Sequence, residues 1–340
     1  MRASIKDIAR ATGYSITTVS LVLNNKGNKI SAETTAKILE AARALHYRPN
    51  QLAVSLVKQR SKTFGLIVPD ISNGYFSSLA TGIERGCQKY GRMLFLCSTN
   101  DQRSRNIKYI NRLAEMGVDG IFDIISRDTT LEEGIVEVQL MNDLGIPHIL
   151  VDRILDAPGC AGIENNHIQG GYLATQHLID LGHRHIACVT GPTLLEDARR
   201  RYAGYKKALR ESGIPLEEQL IYRGDYTQAS GKAAVKSWSD GSYTAVFACN
   251  DASAFGVCQQ LLAEGKTIPG DISVVGYDDA IYAEMLQVPL TTIRQPIQEM
   301  GMEAARQLTE MINRHTTLKE PIVFEPQLIL RSSTAERNRP

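Results

Sequence analysis

Residues 5–25 read IKDIARATGYSITTVSLVLNN, two short apolar-striped stretches on either side of one glycine. How that stretch is read decides the architecture of the whole chain. Ser4 and Asp7 make a Ser-x-x-Asp start signal, and Ile5, Ile8 and Ala9 form a stripe that ends near Gly13. Ser15 caps a second helix in which Ile16, Val19, Val22 and Leu23 recur at helical spacing up to Asn24. Ser31 caps a third that runs through Ile38, Ala41, Ala42 and Leu45. A helix-turn-helix needs one helix across the DNA backbone, a tight turn, and a second helix whose early residues face base edges. Ala9 is small where the helices approach, Gly13 can take the positive φ of the turn, and Val19 faces inward. Ser15, Ile16, Thr17, Thr18, Ser20 and Leu21 are left outward. The plainer alternative is a small helical cap on an enzyme.

Charge separates the two readings. Residues 1–62 hold eleven Lys/Arg against three Asp/Glu, and the remaining 278 residues hold 27 against 34, although the whole chain nets only +1. A basic head on a mildly acidic body suits attachment to phosphate at one end. After the third helix comes YRPNQLAVSLVKQRSKT, where Pro49 interrupts the helix and Asn50 can cap a short one from Gln51 to Val57. It reads as a linker with a conditional helix.

From Phe64 onward, apolar runs of four to six residues alternate with helical stretches, the mark of βα units around parallel sheets. The expected strands are FGLIV, MLFLC, GIFDII, PHILV, HIACVT, AVFACN and ISVVGY. Their helices are expected to begin near Tyr75, Arg105, Leu131, Gln169, Ala198, Ala252 and Ala280. So many units suggest two similar sheets dividing near Gly162 to Asn166 and enclosing a cleft, with ligand loops at the strand ends. At 340 residues, 43% hydrophobic and 22% charged, the chain has the composition of an ordinary folded protein of two or three domains. Its six cysteines are scattered without a CxxC pair and read as buried free thiols. No leader and no bilayer-length apolar run is apparent, so a cytoplasmic protein without a membrane partner is expected. GxGxxG, Walker and GxSxG patterns are absent, Asp278 and Asp279 would point to opposite faces of a strand, and His183 with His185 lacks a third ligand nearby. No enzyme activity, cofactor or metal is expected.

The head, in IKDIARATGYSITTVSLVLN, ISAETTAKILEAARALHYRPN and NQLAVSLV, resembles the LacI/GalR family of bacterial repressors. The likeness extends over nearly the whole chain through LGHRHIACVTGP, ARRRYAGY, ACNDASAFG, DISVVGYDD and PLTTIRQP. It implies an α/β protein with an N-terminal three-helix helix-turn-helix domain, 1–49, and a hinge helix and linker, 50–62. A two-lobed periplasmic-binding-protein-like sensor of parallel sheets follows, 63–331, with lobe crossovers near 163, 293 and 325, and then a polar tail, 332–340. Carried over, the base-reading positions fall on Ile16, Thr17 and Leu21, while Thr18, Ser20, Asn24, Ser31 and Thr34 suit phosphate oxygens. Ile5 and Ser15 are counted with them. Leu21 stands where Arg or His is frequent and cannot make a bidentate contact to guanine, so readout leans on Thr17 and on DNA shape. In the hinge, Leu56 matches the minor-groove wedge and Ala53 is small enough for two hinge helices to touch.

In the sensor, groups that suit a sugar's hydroxyls and C–H faces stand where strands end. They are Asn73, Tyr75, Phe76, Asp152, Arg153, Arg199, Tyr226, Asn250, Asp278 and Gln295. Position by position they resemble the pocket of ribose-binding proteins and ribose repressors, sensor relatives of this chain, with Tyr75 and Tyr226 for phenylalanines; hexose sensors share the Asp-Arg and Asn-Asp pairs. Ile125 falls where those relatives offer a polar side chain, and Asp123, inside an apolar strand, has no assigned role. The favoured reading is a homodimeric repressor on palindromic double-stranded operator DNA, controlled by a small sugar, ribose or another monosaccharide, that releases or promotes DNA binding. A periplasmic-type sugar receptor without DNA function is the alternative. The last helix should end near Arg314, and no leucine heptads follow it, which argues for a dimer rather than a tetramer.

Overall fold

The hydroxyl-capped starts set the first three helices in a computed structural model that describes residues 3–24, 30–47, 61–238 and 242–337. These are α1 (Ile5–Thr12), α2 (Ile16–Leu23) and α3 (Ala32–Ala44). Ser4 donates from its Oγ and its N–H to Asp7 Oδ2 at 2.7 and 2.9 Å, while Ser15 and Ser31 accept from the N–H groups of Thr18 and Thr34. Gly13 closes α1 at φ 74° with its N–H on Ala9 O. Ile8, Val19, Val22, Ile38 and Ala42 are the buried centre of this small unit. The chain divides into two compact units, Met1–Ser61 and Lys62–Pro340.

The second unit begins with β1 (Thr63–Val68), α4 (Gly74–Lys89), β2 (Met93–Ser98), α5 (Arg103–Glu115), β3 (Gly120–Asp123), α6 (Leu131–Asp143), β4 (His148–Val151) and β5 (Gly162–Asn165). It continues through α7 (His167–Asp180), β6 (Ile186–Thr190), α8 (Glu196–Glu211), β7 (Ile221–Arg223), α9 (Gln228–Ser237), β8 (Ala245–Ala248), α10 (Asp251–Ala263), β9 (Ser273–Val275) and β10 (Thr292–Arg294). The last elements are α11 (Ile297–Arg314), β11 (Ile322–Phe324) and β12 (Gln327–Ile329). One parallel sheet runs β11-β5-β4-β3-β1-β2 and the other β7-β6-β8-β9, while β10 and β12 pair antiparallel. The chain thus passes between sheets after β5, after β10 and after β11.

Both sheets are covered on both faces, which is why their strands read as continuous apolar runs. Phe64, Leu66 and Val68 pack under α4 and α11, and Ile67 and Ile121 face α5 and α6. In the second sheet Val189, Val246 and Ala248 lie against α9 and α10, while Ile186, Cys188 and Phe247 lie against α7 and α8. All six cysteines are free, and five are buried.

Six of the seven expected helix starts fall within two residues of an observed one. The seventh, near Ala280, is corrected: only a single 3₁₀ turn forms, Ile281–Glu284. Asp278 and Asp279 take φ of 116° and 55°, and Leu290 N–H bonds back to Ala283 O, which leaves no length for a helix. The start of the polar tail is packed against the second lobe. Ser333 is fully buried, its carbonyl accepting from Val274 N–H and its Oγ from Thr291 N–H, and Arg337 N–H reaches Leu181 O. The expected strands do not include the short β5, β7, β10, β11 and β12, and the expected helices do not include α9. Among the described residues, no helix is long and apolar enough to cross a membrane.

Candidate functional site

In the small unit, α2 is exposed along one face that begins at its first turn. Ile16 and Leu21 are 50% and 39% exposed, large apolar side chains facing solvent beside exposed Ser15 and Thr17. Thr18, Ser20 and Thr34 are half-buried and Asn24 and Ser31 exposed, so hydroxyls and an amide surround that turn. Several are already tied locally: Ser15 Oγ meets Thr18 Oγ1 at 2.8 Å, Ser31 Oγ donates to Thr34 Oγ1, and Asn24 Nδ2 donates to Ser20 O. Ile5 is half-buried against the unit's core rather than free. Ala53 and Leu56 lie outside the described residues.

In the large unit, loops at the strand ends converge on one cavity of about 550 Å³. From the first lobe come Asn73, which caps α4, the rings of Tyr75 and Phe76, and Asp152 with Arg153 after β4. From the second come Asp197 and Arg201 on α8, Tyr226 after β7, Asn250 capping α10, and Asp278 after β9. Tyr75 hydroxyl donates to Asp152 Oδ1, and Arg153 donates to Asp101 Oδ1 at 2.8 Å and to Ile125 O at 3.0 Å, its guanidinium lying over Phe76. Arg201 donates to Cys249 O at 2.7 Å, reaches Asp278 at 3.4 Å, and lies 4.0 Å from the Tyr277 ring centroid. Asp101, Asp152, Tyr226 and Asp278 all take positive φ, a conformation that side-chain-bearing residues hold only when their surroundings over-determine it. Such strain collects where a site must be held in shape.

Burial dominates the electrostatics. It pushes the Asp278 carboxyl up to about 7 against the pull of Arg201, and Asp152 up to about 6 with the Asp197 charge adding to the rise. Asp197 is also opposed by burial, yet Arg201, His167 and Arg153 hold it below its ordinary value. His167 is driven down to about 3 by burial and by Arg201, so the ring is neutral. Arg201 can only donate, so its Nε at 3.4 Å from His167 Nδ1 makes that nitrogen the acceptor.

Eight of the ten expected pocket residues line this cavity. Gln295 stands one layer behind, its Nε2 donating to Asp278 Oδ1 and its Oε1 accepting from Asn165 Nδ2, which ties two of the three crossovers together. Arg199 is corrected: it is half-exposed and paired with Glu196, and the arginine in the cavity is Arg201, buried beside Asp197 and Asp278. A signal for this exists in the sequence, since Ala198, Arg201, Tyr205 and Ala208 are one inward stripe of α8 and Arg199 is off it. Asp197, one turn before Arg201 on the buried side of α8, also lines the cavity and is absent from the expected residues. Ile125 contributes its carbonyl instead of a polar side chain.

This geometry can be set beside known proteins. The model for bacterial regulatory proteins of the lacI family matches residues 4–50, and that for a periplasmic binding protein-like domain matches 175–334. The HTH-type transcriptional regulator DegA of Bacillus subtilis (strain 168) is 35% identical over 339 residues, 99% of this chain and 100% of its own. A LacI family transcriptional regulator from Enterococcus faecium, solved with bound ribose, is 33% identical with a TM-score of 0.73, over 81% of this chain and 100% of that one. The lac repressor dimer bound to operator and the anti-inducer ONPF gives a TM-score of 0.86 at 25% identity, over 98% of this chain and 100% of that one.

Proposed function

The chain belongs to the LacI family of bacterial regulatory proteins, and from that premise we propose a homodimeric cytoplasmic repressor whose hold on a palindromic operator is set by a small sugar between its sensor lobes. It is a DNA-binding transcriptional regulator and not an enzyme. Each subunit presents α2 to the major groove of one half-site, with Ile16, Thr17 and Leu21 at base edges and the surrounding hydroxyls on phosphates. Leu56 serves as the minor-groove wedge, and Ala53 is the small residue at which the two hinge helices of a dimer touch.

One observation carries the sugar reading. Asp152, Asp278, Arg153, Arg201 and Asn250 converge with the rings of Tyr75, Phe76 and Tyr226 on a single cavity, which is the chemistry that hydroxyls and C–H faces require. Ribose is the first candidate, supported by the match to ribose-binding pockets and by the ribose held in the Enterococcus faecium relative. Sugar closes the cleft and releases the operator, to the extent that it binds the two forms with different affinity. A transport-type receptor would share the cleft, but the basic three-helix head speaks against it.

A mobility-shift assay with the full chain on genomic fragments tests both halves. A sequence-dependent, salt-sensitive shift that D-ribose abolishes is expected. Leu56→Ala should weaken the shift and spare sugar affinity, and Arg201→Ala should do the reverse. No such shift would end the DNA reading, and a shift indifferent to every monosaccharide would end the sugar reading.

A further inference from the structure

The cleft between the lobes carries a charge pattern that narrows its ligand. Six aspartates line it, Asp70, Asp101, Asp152, Asp197, Asp225 and Asp278, against three arginines, Arg127, Arg153 and Arg201. Among the described residues no lysine or histidine lines that cavity. Two of the three guanidiniums are engaged within the wall, and the third, on Arg127, is half-exposed at the rim. Arg153 is held by Asp101 and Ile125 O, and Arg201 by Cys249 O, Asp278 and Asp197, while Arg127 stands 3.6 Å from Asp101.

Helix N-termini are the other common home for an anion, because their N–H groups and dipole favour negative charge. Here they are spoken for by the protein's own oxygens. Asn73 Oδ1 accepts from Tyr75 N–H at 2.9 Å, Thr227 Oγ1 from Ser230 N–H at 3.1 Å, and Asn250 Oδ1 from Ser253 N–H at 3.0 Å. The first turn of α8 holds Glu196 and Asp197. An anion entering this cavity meets a wall with more carboxyls than guanidiniums, in which Asp70 and Asp225 have no arginine partner among the described residues.

We propose that the effector is an uncharged sugar and that the cleft rejects the phosphorylated form of the same sugar. The inference rests on the sugar reading above and sharpens it. The aspartates accept from hydroxyls, which a neutral polyol supplies in number and a phosphate ester offsets with a charge of the wrong sign. The molecule sensed is therefore the sugar ahead of the phosphoryl-transfer step that would convert it to an ester.

The test is calorimetric titration of the full-length protein at low ionic strength with matched pairs, D-ribose and its 5-phosphate, D-glucose and its 6-phosphate. Whichever free sugar binds, its ester should bind at least about 100-fold more weakly. The double variant Asp70→Asn with Asp225→Asn removes two charges while keeping amide oxygens for the local turns, and it should narrow that gap by about tenfold. An ester that binds as tightly as its parent sugar, or a gap that the double variant leaves unchanged, overturns the inference while the sugar reading stands. If neither member of any pair binds, and no other pentose or hexose in a panel does, the sugar reading itself fails and this inference with it.

Discussion

Asp123 closes β3 with a carboxyl that has no cation beside it among the described residues. It is fully buried, and its Oδ2 lies 3.4 Å from Asn106 Nδ2, the same nitrogen that donates to Glu137 Oε2 at 2.8 Å. Arg103 on α5 pairs with Glu137 and Glu133 on α6, and Asp128 in the following loop accepts from Arg103 N–H. Asp123 Oδ1 and Asn106 Oδ1 are both buried acceptors without a donor. One proton on Asp123, donated across to Asn106, satisfies both and leaves a neutral acid–amide pair. Burial and the Glu137 charge push this carboxyl up to about 8. The unfolded chain releases that proton near pH ~4, so the stability that Asp123 contributes falls as pH rises from about 4 to about 8 and then levels. Asp123→Asn lacks this loss: its melting temperature should gain on wild type across that window, and the infrared carbonyl stretch of a protonated acid, present in wild type at neutral pH, should disappear. A pH-independent difference between the two melting curves would mean that Asp123 is ionised throughout. The sequence marks Asp123 as odd but cannot explain it, because Asn106 and Glu137 reach it from helices whose facing partners no linear pattern names. The three consecutive arginines 199–201 show the complementary case, in which the inward stripe of α8 does single out Arg201.

Helix pairs in the large unit cross at glycines. A Cβ on Gly82 of α4 would stand 2.5 Å from Gln298 O, and one on Gly301 of α11 2.6 Å from Ile83 N. Gly171 and Gly204 stand in the same relation between α7 and α8, as do Gly231 and Gly256 between α9 and α10, each with backbone within 2.0–2.1 Å of the added atom. Backbone cannot yield as a flexible side chain does, so a methyl there forces the helices apart. Gly82→Ala should destabilise the unit by about 2 kcal/mol. Gly74→Ala, where an added Cβ meets nothing within 4 Å, should stay within about 0.5 kcal/mol of wild type. Denaturant midpoints of the two variants check this, and equal midpoints would show that the pair can part without cost. At this scale the sequence is most legible. Caps at Ser4, Ser15 and Ser31 and the alternation of apolar runs set nearly every helix start. What stays hidden are strands of three or four residues, too short for a period to show, and what misleads is the run near Ala280, where positive φ at two adjacent aspartates prevents a helix.

At the scale of the molecule, each lobe leaves apolar side chains uncovered. On β2, the edge strand of the larger sheet, Met93 is 66% exposed and Leu96 48%, and in the turn after β9 Ile281, Tyr282 and Met285 are each about two-thirds exposed. Isolated exposed leucines are ordinary, but an apolar strand with one unpaired edge is a template for another chain unless something covers it. A second copy is the occupant that the proposed homodimer supplies. Contacts made by both lobes would also let closure of the cleft alter the dimer, since any change in lobe angle must be shared across the interface. Met93→Asp with Leu96→Asp should therefore yield monomers in sedimentation velocity. It should also weaken operator binding by about 100-fold, as the two helix-turn-helix units lose their linkage. Sugar affinity should be retained, because neither residue lines the cavity. Tyr282→Asp on the other lobe should weaken the dimer less and shift the sugar concentration needed for release. A double variant that still sediments as a dimer would place the interface elsewhere, and one that loses sugar binding too would mean that the edge strand holds the first lobe together rather than joining two chains.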